Sequence, residues 1–175
     1  TITLCLILIP ALPLAAAILI ALFGARVLGE ASHWPVVIAI GGSFLCSLLL
    51  VNEIQDENLS HPQGYEKVVT LWTWANVPNA YDLAGPDKSA SADDGMKDFR
   101  IDVTLRADGL TSMMLSMVTF VATLVAIFGA GYMHGDRGYP RFFAFVGLFV
   151  FSMTMLVSVS NFILLFVFWE AVGVC

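Results

Sequence analysis

Apolar runs long enough to cross a bilayer recur along this chain, and no other feature restricts its fold as tightly. A helix rising about 1.5 Å per residue needs about 20 apolar residues to cross about 30 Å of hydrocarbon. Ile2–Phe23 meets that requirement, and residues 34–51 form a second, shorter run that opens with Trp34 and Pro35. A third runs over 110–133 and a fourth over 142–158, while a fifth begins at Phe162 and reaches Cys175 after 14 residues, about 21 Å of helix. In hydrocarbon every backbone N–H and C=O must be bonded internally, so each run is expected to be a helix. Pro10 and Pro13 fall inside the first run and each removes a backbone donor. A kink or a non-helical first turn is therefore expected there, with the freed carbonyls covered by a neighbouring helix.

The charges separate as sharply as the apolar residues. Of the 22 Asp, Glu, Lys and Arg residues, 15 lie between Glu53 and Arg106, leaving seven for the rest of the 175. The chain is 58% hydrophobic and 13% charged, about half the charge of an ordinary soluble domain. A net charge of -6 would repel a polyanion, which excludes a nucleic-acid binder. The composition also excludes a disordered chain and a disulfide-stapled secreted module. Cys5, Cys46 and Cys175 sit singly inside apolar runs and read as small hydrophobes. The first run lacks the basic leader and cleavage site of a signal peptide. Thr1 in place of Met, and an apolar run still open at Cys175, suggest a piece of a longer chain.

The expected fold is thus an all-α integral membrane helix bundle, four complete spans and a truncated fifth, with a small extramembrane β-hairpin. Residues 1–51 hold the first two spans, 52–107 an acidic extramembrane loop, and 108–175 the third, fourth and start of the fifth. Within the loop, 68–74 is rich in β-branched and aromatic residues, and Phe99, Ile101, Val103 and Leu105 alternate with polar ones. These two runs are expected to pair as a hairpin on the membrane surface, with 85–95 a mobile, decorative tip. Asp108 is placed to cap the third helix, and Ser160 with Asn161 the fifth. Ser112, Ser116, Thr119 and Thr123 recur on one face of the third helix as a packing seam, and Gly41, Gly42, Ser43 and Ser47 offer close contact on the second. Basic residues are denser in the short loops (Arg26, Arg137, Arg141) than in the long one, which carries ten acids. That favours the short loops on the cytoplasmic side.

One ionisable residue stands within a span. Glu170 lies nine residues after Asn161, about 13 Å along the helix and near the bilayer midplane. A carboxylate at that depth costs on the order of 3 kcal/mol, so it is expected to face a bundle interior or a watery cavity with a partner. Phe166, Val167, Gly173 and Val174, its neighbours at three and four residues, supply no counter-charge. The alternative is a carboxyl that hydrogen-bonds an adjacent helix and only holds the bundle together. His33, His61 and His134 show no partnered spacing, and Asp136, Arg137 and Arg141 read as a solvated turn at the headgroups. No phosphate loop, cysteine cluster, haem-ligating His pair or nucleophile triad is present, so no cofactor is expected to bind this chain by itself.

Several runs carry a resemblance to a known family. They are Asp108, Gly109, Leu110 and Thr111 opening a span; Tyr132 and Met133 closing it; Arg141, Phe142, Phe143, Ala144 and Phe145; Asn161; and Trp169, Glu170, Ala171, Val172, Gly173, Val174 and Cys175. Leu71, Trp72, Thr73 and Trp74 add to them. Together they resemble the N-terminal part of the largest antiporter-like membrane subunit of respiratory complex I, the NADH-quinone oxidoreductase chain called L in bacteria and 5 in mitochondria. The resemblance implies an outward N-terminus, a surface hairpin, and a fifth-helix carboxylate, here Glu170, paired with a Lys on the seventh helix in a proton channel. It implies the other membrane subunits, the bilayer and protons as partners. NAD, FMN, iron-sulfur clusters and quinone would belong to the parent complex. A bacterial inner membrane is the implied location, with mitochondrial inner membrane or thylakoid as alternatives. The related large subunit of multisubunit sodium/proton antiporters, and a non-translocating membrane scaffold, are the other readings; the Val172 to Cys175 run favours complex I over the antiporters.

Overall fold

The computed structural model describes residues 2–24, 29–60, 65–82 and 96–175. Five α-helices and one β-hairpin follow in the order α1 (Ile2–Phe23), α2 (His33–Ser60), β1 (Lys67–Asp82), β2 (Met96–Ala107), α3 (Gly109–Tyr132), α4 (Tyr139–Ser158) and α5 (Phe162–Val174). α1 to α4 are long and apolar enough to cross a membrane, and the chain is a membrane protein. Exposed Leu4, Ile38, Leu45, Met117 and Phe128 are what a lipid-facing surface requires.

Helix α1 is continuous through Pro10 and Pro13, both buried. The physical reason is visible at its neighbour. Pro13 has no N–H to give the carbonyl of Ile9, four residues back, and the Ser43 hydroxyl of α2 donates to that oxygen at 2.9 Å, sharing its proton with Ala39 O at 3.0 Å. A partner helix thus supplies the donor that the proline withholds. Behind the same segment α4 approaches closely: a Cβ on Gly147 would lie 3.2 Å from both Pro13 O and the Ala17 Cβ. On the other side of α2, Ser47 and Thr119 join hydroxyls at 3.1 Å, and Thr119 also bonds Leu115 O. Thr119, in the middle of the hydroxyl row on α3, is therefore where that face meets α2, while Ser112 and Thr123 bond carbonyls of their own helix.

Two buried clusters fill the bundle, one toward each end. Leu6, Ile9, Leu50, Ile54, Leu105 and Leu115 pack at the hairpin end. Ile20, Val36, Ile40, Ala126, Phe143 and Val150 pack at the end of the short turns. Helix α2 is longer than its apolar run, continuing nine residues beyond Val51 into the segment expected to be loop. Ile54 explains the extension, since it is fully buried at the hairpin end while Glu53, Asp56 and Glu57 take the other faces.

The hairpin is also longer than its alternating runs. β1 and β2 pair antiparallel from Lys67↔Ala107 to Asp82↔Met96, with register irregularities after Thr70, Thr73 and Val77. Ile101, Val103, Leu105 and Ala107 are buried against the bundle, and Leu105 bridges Val159 in the α4–α5 connection. Phe99 keeps the alternation yet is 44% exposed, because the strand has passed the edge of the helices there. The expected tip, 85–95, lies outside the described residues.

Candidate functional site

Asn161 starts α5 by accepting the Ile163 N–H at 2.9 Å, as a capping side chain does. From that cap the helix descends antiparallel to α4 and rests on it through Phe168, whose ring meets Phe151 edge-on at 5.8 Å. Helical geometry then decides where the carboxylate goes. Residues two apart are turned about 200° from each other, so with Phe168 on α4, Glu170 projects to the opposite side. It is exposed, on a stripe with Ile163, Phe166, Val167 and Val174, while Leu164, Phe168, Ala171 and Val172 form the partly covered face. Among the described residues Glu170 has no ion pair or hydrogen bond. A Cβ on Gly173 would meet nothing within 4 Å, so the stripe is open one turn further on.

α5 touches the bundle along one stripe only, and Glu170 is on the other, turned away from the other four helices. The chemistry available there is that of a lone carboxylate at the ninth of the 13 residues of an apolar helix, able to take or give a proton and to pair with a cation brought to it. Its flanks are large and apolar, Trp169 being 61% exposed, so neither water nor lipid suits the whole face. Intramembrane carboxylates belong against protein or a watery cavity.

The remaining ionisable groups sort to the two ends. Asp108 caps α3, accepting the Thr111 N–H at 2.6 Å. Burial pushes its carboxyl up, but the bonds from Thr111 and the Arg106 guanidinium, 3.2 Å away, outweigh that and hold it below the usual range. Arg106 Nε also lies 3.2 Å from Glu66, a contact not aligned as a hydrogen bond. On the hairpin, Thr73 donates to Asp102 at 2.6 Å and Arg100 reaches both, which lowers the Asp102 carboxyl. At the other end Asp136 accepts the Gly138 N–H at 2.7 Å in the turn between α3 and α4. His134 is in that turn too, while His61 lies outside the described residues. His33 is partly buried at the start of α2, its Nδ1 2.8 Å from the Tyr139 hydroxyl and its ring beside Phe143. These partners are 106 residues apart and no local pattern announces them. No cluster of three or more His, Cys, Asp or Glu residues occurs among the described residues.

A family described as NADH-Ubiquinone oxidoreductase (complex I), chain 5 N-terminus, matches residues 95–143, which hold β2, α3 and the first turn of α4. The likeness to complex I subunit L is thus shown. NADH-quinone oxidoreductase subunit L of Escherichia coli is 34% identical over 139 residues, 79% of this chain and 19% of that protein. The subunit L of Rickettsia typhi is 48% identical over 79 residues, 45% of this chain and 12% of that protein. The chloroplastic NAD(P)H-quinone oxidoreductase subunit 5 of Chlorokybus atmophyticus is 48% identical over 77 residues, covering 44% and 12%. The chain therefore spans a fifth or less of the length of these subunit L and subunit 5 proteins. The chain 5 match ends at Phe143 and does not extend to Glu170.

Proposed function

We propose that this chain is the N-terminal helix bundle of a membrane subunit of an NADH-quinone oxidoreductase, and that Glu170 carries protons in that subunit's translocation path. The observation that carries the reading is the carboxylate on the uncovered face of the apolar helix α5, in a chain similar to subunit L. The redox chemistry belongs to other subunits; this chain contributes a proton site and the scaffold that positions it. The uncovered stripe is the contact face for further helices of the same subunit, one of which brings a Lys to Glu170.

The physics of such a pair is simple. A cation moved close to a carboxylate in a low-dielectric site favours its charged form, and withdrawal favours the acid. Alternation between the two converts an electrostatic or conformational signal from the redox part of the complex into uptake and release of one proton. The α1–α4 bundle stays rigid while this happens, since its proline carbonyl is bonded and its seams are close-packed. The extramembrane hairpin faces outward and the short turns with Arg137 and Arg141 face the cytoplasm, in keeping with their density of positive charge. A bacterial inner membrane is the proposed setting.

Glu170→Gln keeps the shape of the side chain and removes the titrating group. In membranes carrying the whole complex, proton translocation per NADH oxidised is expected to fall severalfold, while subunit assembly is retained. Translocation equal to wild type would eliminate Glu170 from the path and leave it as a packing residue.

A further inference from the structure

At the end of the short turns, α1 and α4 line an open-sided groove of about 350 Å³. Its form follows from side-chain size. Gly147 and Ala17 hold the two helices in contact near mid-span, and small residues, Ala17, Ala21 and Ala144, keep the floor recessed toward the turn. Ile18, Phe145 and Leu148 form the walls. From Arg141 to Leu148 the groove runs about 10 Å along α4. Arg141 stands at its mouth, exposed and with no ion pair or hydrogen bond among the described residues. Beyond it, sharing Pro140 with the groove, is a polar notch lined by Gly29, Asp136 and Arg137. The Asp136 oxygen in that notch is bonded to the Gly138 N–H. Among the described residues at this mouth, two guanidiniums against one carboxylate leave a single positive charge above an apolar slot.

We infer that this groove holds an anionic phospholipid, one acyl chain lying between α1 and α4 and the phosphate at Arg141. An apolar channel open along its length to hydrocarbon, with a cation at headgroup depth, is complementary to a lipid at both ends. A helix of another protein would satisfy the walls, and would need a carboxylate of its own at headgroup depth to satisfy the guanidinium. Arg binds phosphate oxygens in a two-pronged fashion, and basic recesses between spanning helices hold acidic headgroups in this way. The single excess charge suits a lipid with one negative charge, of which phosphatidylglycerol is the simplest. The inference rests on the fold and on Arg141, and is independent of the role of Glu170.

The test uses membranes containing the whole assembled complex and phosphatidylglycerol bearing a photoreactive group in one acyl chain, with an identically tagged phosphatidylcholine as control. After illumination, peptide mass spectrometry is expected to place the phosphatidylglycerol label at Ile18, Phe145 or Leu148, well above the phosphatidylcholine label. Arg141→Gln is expected to lower that labelling on the order of fivefold, the worth of one interfacial charge. Arg141→Lys retains most of it, and Ala21→Phe, which fills the groove without changing charge, abolishes it. Equal labelling by the two lipids would mean an ordinary annular lipid and overturn the inference. So would labelling unaffected by Arg141→Gln, or no label in the groove at all, the outcome if another helix occupies it.

Discussion

Substituting Ser43 by Ala tests whether α1 depends on α2 to tolerate its proline. Pro13 leaves the Ile9 carbonyl without its helical donor, and the Ser43 hydroxyl at 2.9 Å is the replacement, in a fully buried position. Ser43→Ala deletes that donor and opens no cavity larger than an oxygen. Interhelical hydrogen bonds in membranes are worth about 0.6 kcal/mol on average and at most about 1.7. Leaving a buried acceptor unpaired costs about 1–3 kcal/mol. A destabilisation of about 1–2 kcal/mol is therefore expected. The decisive version is a double-mutant cycle. Pro13→Ala restores the N–H that bonds Ile9 O within α1, so in that background Ser43→Ala should cost less than about 0.5 kcal/mol. The assay is a denaturant titration of the whole subunit in mild detergent, followed by loss of helical circular dichroism. If Ser43→Ala costs the same whether residue 13 is Pro or Ala, the hydroxyl is not acting on the proline's carbonyl and the explanation is wrong.

Three further outcomes are expected. Gly147→Leu drives a side chain into Pro13 O and Ala17, 3.2 Å from its first carbon, and should cost about 1–3 kcal/mol with α1 and α4 separated; an unchanged midpoint in the same titration would contradict the close approach. The Asp108 carboxyl is held low in the folded state, so its stabilising effect is complete above the unfolded carboxylate value of about 3.9 and is lost as pH falls through the lower folded value. Amide hydrogen exchange in the first turn of α3 should accordingly quicken on acidification, and the acid response should be weaker in Asp108→Asn. The Arg141→Gln variant should show phosphatidylglycerol labelling lowered about fivefold while translocating protons normally, because the groove and Glu170 are on different helices.

What could be foreseen from the residues, and what could not, divides along a physical line. Spans and caps are local: twenty apolar residues in a row, or an Asp or Asn before them, leave few options, and Asp108 and Asn161 cap as their positions suggest. The shared face of Ser112, Ser116, Thr119 and Thr123 on α3 is likewise a property of one helix, and Thr119 on that face meets Ser47. Contacts between distant segments were not legible. Nothing near His33 announces Tyr139, and nothing near Asn52 says that Ile54 will be buried by β2 and α1, which is what carries α2 to Ser60. Glu170 shows both sides of this. Its distance along α5 from the Asn161 cap followed from counting residues, whereas its direction depended on which stripe of α5 meets α4, and that is decided by Phe168 and Phe151.

The central claim, that Glu170 takes up and releases a proton during turnover, is tested most directly by infrared difference spectroscopy of the whole complex in membranes, reduced by NADH against resting. A protonated-carboxyl stretch that changes on turnover, shifts in deuterium oxide and disappears in Glu170→Gln is the predicted result. A difference spectrum identical in wild type and Glu170→Gln would contradict the account.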